Sequence, residues 1–154
     1  MVRYANREDL ARVNELRRQV NDLHVEGRPD IFKPGFGQVL QDFIYAVFED
    51  ETKDVIVAER KGVICGFACV HYVDKPESPY MHGRRFYDVE EFCVDAAWRR
   101  QGVATELIDF IRQEARAKGF DRVELNMWEF NEDARLFYEA VGFRTYRRYM
   151  EMEV

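Results

Sequence analysis

Arg99, Arg100 and Gly102 stand in a short basic turn that follows the strand-like stretch Val89-Glu90-Glu91-Phe92-Cys93-Val94 and the residues Asp95-Ala96-Ala97-Trp98, directly before the opening of a long helix. Such a junction can hold a phosphate. A helix N-terminus exposes unpaired N–H groups and a partial positive charge. The glycine lets an anion approach the backbone, and the arginines add charge. The helix itself is read from Ala104, Leu107, Ile108, Ile111 and Ala115, which recur at three- and four-residue spacing. Gly119, after Lys118, suits a left-handed C-cap. A second constellation lies downstream. Asn131, Arg135 and Tyr138 fall at i, i+4 and i+7 and share one helix face, while Ala134, Phe137 and Val141 lie toward another. One face can meet a ligand while the other packs.

The elements that must position these residues follow from hydrophobic periodicity. Val2 to Ala5 reads as a short strand, and Asn6 can cap a helix with Glu8 and Asp9 in its first turn. Leu10, Val13, Leu16, Val20 and Leu23 carry that helix to the neighbourhood of Gly27, where Arg28-Pro29-Asp30 and Lys33-Pro34-Gly35 mark a loop. Val39, Leu40, Phe43, Ile44, Val47 and Phe48 form a second helical stripe. Residues 54–60 and 63–73 read as a hairpin turning at Lys61-Gly62. Pro76 and Pro79 interrupt regular structure before a central strand over residues 86–94. Residues 122–128 alternate as a further strand, and Asn131 caps a short helix that Gly142 ends. Residues 143–152 are expected to supply one or two terminal antiparallel strands. The expected order is β-α-α-β-β-β-α-β-α-β, a mixed α/β sheet flanked by helices in one domain, residues 1–154.

Bulk properties narrow the function. A chain of 154 residues can bury a core without staples. The net charge of −6 argues against a general nucleic-acid binder while allowing a local basic site. Met1-Val2-Arg3-Tyr4 leads into polar sequence rather than a secretory signal, and no apolar run is long enough to span a bilayer. Cys65, Cys69 and Cys93 are odd in number, form no C-x-x-C pair and lie in apolar sequence, which suits buried reduced thiols and a cytoplasmic setting. His24, His71 and His82 share no ligand spacing, so no metal site is expected.

Arg99-x-x-Gly102-x-Ala104 after a strand resembles the acyl-CoA pyrophosphate loop of the GNAT superfamily of N-acetyltransferases. Asn131-x-x-Ala134-x-x-Phe137-Tyr138-x-x-x-Gly142-Phe143 resembles the C-terminal motif of the same superfamily. The two occur in the family's order, separated by one helix and one strand, and the resemblance covers essentially the whole chain. It implies the GNAT fold, with a mixed central sheet splayed at the fourth strand. It implies acetyl-CoA as co-substrate, its pyrophosphate on Arg99, Arg100, Gln101, Gly102, Val103, Ala104 and Thr105. Its pantetheine arm would lie along Phe92, Cys93 and Val94, with Asn131 and Tyr138 beside it.

The reaction implied is attack of an amine nitrogen on a thioester carbonyl. Tyr138 holds the position of the proton donor to the departing thiolate. A protonated amine needs a base or a water relay, for which Glu90 and Glu91 are the candidates. Asn126 stands where some relatives carry a glutamate base, and can at most hydrogen-bond the acceptor. The loop from His24 to Asp30, with Phe32, Tyr80 and Trp128, lies where relatives build the acceptor wall. Acidic residues on that side favour a cationic acceptor, and a homodimer through the terminal strands stays open. The alternative is a non-catalytic acyl-CoA sensor of the same fold.

Overall fold

The computed structural model describes residues 1–154. Five strands, β1 (Val2–Tyr4), β2 (Lys53–Arg60), β3 (Val63–Lys75), β4 (Arg84–Val94) and β5 (Val123–Leu125), form one sheet in the order β1-β2-β3-β4-β5. All neighbours are antiparallel except β4 and β5, which are parallel. A parallel pair needs a crossover, and helix α3 (Val103–Ala117) provides it. Helices α1 (Leu10–Gly27) and α2 (Gln38–Glu49) precede the long hairpin, and α4 (Glu132–Ala140) follows β5.

Strand alternation divides the core in two. Ile56, Ala58, Ala68, Val70, Tyr87 and Val89 face α3, meeting Val103, Leu107, Ile108 and Ile111. Val55, Val57, Phe67, Cys69 and Cys93 face the other way, against Leu10, Val13 and Leu16 of α1 and Ile44 and Val47 of α2. The stripe expected on α2 is therefore only half core. Val39, Leu40 and Phe43 are exposed.

Local signals set the turns. Asn6 and Asp9 form a reciprocal capping box, and the β2–β3 turn uses positive φ at Lys61 and Gly62. Gly27 serves packing instead: a Cβ there would lie 2.3 Å from the Phe130 ring. The terminal strands expected over residues 143–152 do not form. Residues 144–154 are exposed and make no backbone–backbone hydrogen bond. Their alternating sequence suits a strand, but a strand exists only against a partner edge, and the residues do not pair with the free edge of β5.

Beside α3 lies a polar cluster that fastens the sheet. The hydroxyl of fully buried Tyr87 donates to Asp54 at 2.8 Å, Tyr72 donates to the same carboxylate, and Lys118 Nζ approaches it at 3.2 Å. Asp54→Ala leaves the Tyr87 hydroxyl without its acceptor, an expected cost of about 1–3 kcal/mol. Burial, then Asp54, pushes Tyr72 and Tyr87 above the ordinary tyrosine value, and burial pushes Tyr4 up to about 12. Unfolding returns all three to an ordinary pKa near 10. A pKa raised by folding gives stability that is present below the unfolded value and lost as pH rises past it. The buried thiols of Cys65, Cys69 and Cys93 are raised by burial in the same sense, so thermal melts from pH 8 upward should begin to fall past the ordinary thiol value of about 8.5 and fall further past about pH 10, this second fall being smaller in Asp54→Ala.

Candidate active site

The loop between β4 and α3 is held from below. Asp95 is buried, accepts from the Ala97 amide at 3.1 Å and from Gln19 at 3.4 Å, and pairs with Arg12. Burial alone would raise its pKa, but these partners together hold it below the usual carboxylate range. Above this anchor Arg100 takes φ +60 and Gly102 φ +82. Two left-handed residues turn the chain sharply into α3. The first is strained for an L-residue, a feature concentrated at functional sites. Gly102 caps α3 with no side-chain hydrogen bond, so the amides of its first turn, Val103 to Thr105, keep their capacity for an outside acceptor. The Val103 side chain points into the core. Arg99 and Arg100 are exposed; Arg99 touches only the Val94 carbonyl, at 3.5 Å, and Gln101 donates to the Ala97 carbonyl at 3.3 Å.

Leading up to this loop is a fork. β4 pairs with β3 as far as Val94, but with β5 only over Tyr87–Val89. From Glu90 onward the other edge of β4, including Phe92, Cys93 and Val94, has no strand beside it. Tyr138 stands on the α3 side of the fork, its ring edge-on to Phe92 at 6.0 Å and packed on Phe137 and Phe143. Burial, then Cys93, pushes its pKa up to about 12. The Tyr138 hydroxyl makes no hydrogen bond within the chain, and since no fully buried side-chain polar atom lacks a partner, it keeps some access to solvent. α4 is fixed by Asn131, whose Oδ1 accepts from the Ala134 amide at 3.2 Å, leaving its side-chain NH₂ free. Arg135 instead pairs along the helix surface with Glu132 and Glu139.

The opposite side of the fork is acidic. A recess of about 340 Å³ is lined by Phe43, Lys53, Cys69, Asp88, Glu90, Glu91 and Asn126. Simple alternation would place Glu90 and Glu91 on opposite faces of β4. The ladder instead steps from Val70↔Val89 to Cys69↔Glu91, making Glu90 the extra residue of a bulge. Bulges re-aim side chains, and here both carboxylates reach the α1/α2 face. Glu91 is gripped by Arg17 at 2.8 and 3.2 Å, and Arg17 is further held by Asn14 and the Leu40 carbonyl. Glu90 meets Lys53 at 2.9 Å and His71 at 3.3 Å.

Asp88 lies in the same recess without an ion-pair partner. Burial, then Glu90 and Glu124, raises its pKa. Sequence reading missed it; the available signal was strand alternation, which puts Asp88 two residues before Glu90 on the same face. Asn126 also lines the recess. Beyond it His24 lies against Phe32 (4.8 Å), and Phe32 meets Trp128 edge-on (5.1 Å), forming an aromatic wall with Phe130. Burial lowers the His24 pKa, opposed by Glu91. Tyr80 is exposed and takes no part in this wall.

A family model described as the acetyltransferase (GNAT) family matches residues 17–143. The mouse protein named Probable N-acetyltransferase family 8 member 5 is 26% identical over 129 residues, covering 77% of this chain and 55% of that protein. The chain thus spans about half the length of that curated relative. Among solved structures, the tetramutant of the BH1408 protein from Bacillus halodurans matches with a TM-score of 0.95 at 28% identity, covering 100% of this chain and 99% of that one. The aminoglycoside N-acetyltransferase AAC(6')-Iy, solved with coenzyme A, matches with a TM-score of 0.78 at 19% identity, over 100% of this chain and 93% of that one. At that identity the likeness concerns the fold alone.

Proposed function

From the premise that the chain belongs to the GNAT acetyltransferase family, we propose that it transfers the acetyl group of acetyl-CoA directly to a primary amine of a small-molecule, peptide or protein acceptor. The observation that carries this reading is the fork itself. An unpaired edge of β4 leads to the uncapped amides of α3, with a free phenol on one side and a carboxylate-lined recess on the other. The pyrophosphate would sit on the backbone from Arg99 to Thr105, with the exposed Arg99 and Arg100 balancing its charge. Pantetheine amides would pair with β4 at Phe92, Cys93 and Val94, in the manner of an added strand. The side-chain NH₂ of Asn131, which makes no hydrogen bond within the chain, would meet the same arm.

The acceptor would enter from the acidic recess, whose unpaired Asp88 favours a cation. Its amine nitrogen forms a bond to the thioester carbonyl carbon and gives up a proton. Glu90, with His71 at 3.3 Å as a neighbour for relay, is the proposed taker of that proton. Glu91, both oxygens on Arg17, is charge-balanced, which leaves Glu90 as the carboxylate available for the proton. The tetrahedral adduct then expels coenzyme A as the C–S bond breaks, and the Tyr138 hydroxyl donates to the departing sulfur. The three buried cysteines suit a reducing cytoplasm.

Release of free coenzyme A from acetyl-CoA, measured against polyamines, aminoglycosides, amino acids and peptides with free amines, tests the proposal. Turnover is expected with cationic acceptors. Calorimetric binding of acetyl-CoA without turnover across the panel would turn the reading to a coenzyme sensor. No heat of binding would overturn both.

A further inference from the structure

The acidic recess is balanced but for one charge. Three carboxylates line it, those of Asp88, Glu90 and Glu91. Arg17 holds Glu91 at 2.8 Å, and Lys53 lies 2.9 Å from Glu90. Asp88 alone has no counter-ion. Burial, then Glu90 and Glu124, raises its pKa, as expected for a charge that no neighbour neutralises. Glu124 itself is taken by Arg84 and Tyr146. The recess therefore has room in its charge balance for a single ammonium.

What borders it is apolar. Phe43 of α2 lines the recess and is 47% exposed. One turn back, Val39 and Leu40 are exposed as well, while Ile44 and Val47 on the opposite face supply the core. These residues fall at helical spacing and make a stripe that leads to the recess. Arg17 joins the two surfaces. Its guanidinium lies 5.5 Å from the Phe36 ring and 5.4 Å from the Phe43 ring while it holds Glu91 and the Leu40 carbonyl. On the aromatic wall, Arg28 stands 6.0 Å over the Trp128 ring. A second substrate cation would meet rings that already face a guanidinium, and would be repelled there.

We propose, on the acetyl-transfer reading above, that the acceptor is a primary monoamine with an apolar body. Its one ammonium enters the recess against Asp88, and its hydrocarbon or aromatic part lies over Phe43, Leu40 and Val39. Charge complementarity selects this occupant over a polyamine or an aminoglycoside. Either of those would strip water from a further ammonium over the stripe, where no carboxylate waits to receive it. An apolar body instead removes its own surface and that of the stripe from water. Binding by this non-reacting part then holds the nitrogen at the thioester.

The test is coenzyme A release at saturating acetyl-CoA from a matched series: ethylamine, butylamine, hexylamine and phenethylamine. Cadaverine joins it as the isostere of hexylamine whose far methyl is an ammonium. kcat/KM is expected to rise about two- to four-fold with each methylene, and to be about 10-fold or more lower for cadaverine than for hexylamine. Phe43→Asn should collapse the hexylamine-to-ethylamine ratio. Phe43→Leu loses the same ring contact with Arg17 but keeps an apolar surface, and should retain the ratio; thermal melts verify that both variants fold. A series flat in chain length, cadaverine matching hexylamine, or a ratio untouched in Phe43→Asn would overturn the inference and leave acetyl transfer standing. Acetyl-CoA binding without turnover of any amine would overturn both. A full chain that sediments as a dimer, and as a monomer in Phe43→Asn, would make a second copy the cover of the stripe and overturn the inference likewise.

Discussion

Tyr138→Phe is expected to lower kcat by about 10²-fold or more while leaving acetyl-CoA affinity within a factor of about two. The substitution isolates one atom. Phenylalanine keeps the ring that packs against Phe92, Phe137 and Phe143, so the α3 side of the fork retains its shape. The hydroxyl has no partner within the chain, so its removal orphans nothing and stability should hold or rise slightly. On the proposed mechanism, what disappears is the donor to the sulfur that gathers charge as the C–S bond breaks. With its pKa pushed up to about 12 by burial, this tyrosine lies well above a thiol near 8.5, so complete proton transfer is uphill. The contribution is then a hydrogen bond that strengthens in the transition state, which lowers kcat rather than binding when lost. The phenol also stays protonated throughout the assay range, so turnover should climb with pH as the amine deprotonates, with no falling limb near pH 10. A variant with unaltered kcat removes Tyr138 from the mechanism.

The parts of this site that can be read from sequence are those built by neighbours in sequence. Gly102 at φ +82, the Asn131 cap on Ala134 and the Lys61-Gly62 turn each depend on a few consecutive residues, and each announces itself through residue type. The acidic recess is different. That Glu90 and Glu91 share a face depends on a bulge, visible only in the register between β3 and β4. That Asp88 joins them, and that Arg17 on α1 occupies Glu91, depends on packing between residues more than 70 positions apart in the latter case. Alternation in residues 143–152 announced a strand correctly as a tendency. It carried no information about whether a partner edge would take the strand, and the free edge of β5 takes none.

Arg17→Met should be the most damaging single change at the site, costing on the order of 3 kcal/mol. The Arg17 side chain is 6% exposed and Glu91 28%, so removing the guanidinium strands a carboxylate that water reaches only partly. That partial exposure sets the figure at the lower end of the range for broken buried pairs. The Asn14 side chain and the Leu40 carbonyl also lose a donor. For a chain of this length the loss corresponds to a fall in Tm of roughly 6–12 °C. Adding Glu91→Leu should restore most of it, since an apolar pair of similar volume avoids the desolvation that the ion pair must offset. The double variant then separates stability from chemistry. If Glu90 takes the amine proton, Arg17→Met with Glu91→Leu melts near the parent and keeps measurable turnover, while Glu90→Gln melts near the parent and loses about 10²-fold or more in kcat. A double variant that folds and binds acetyl-CoA yet turns over no better than Glu90→Gln would move the base to Glu91, and the Arg17 grip would then be what aims it.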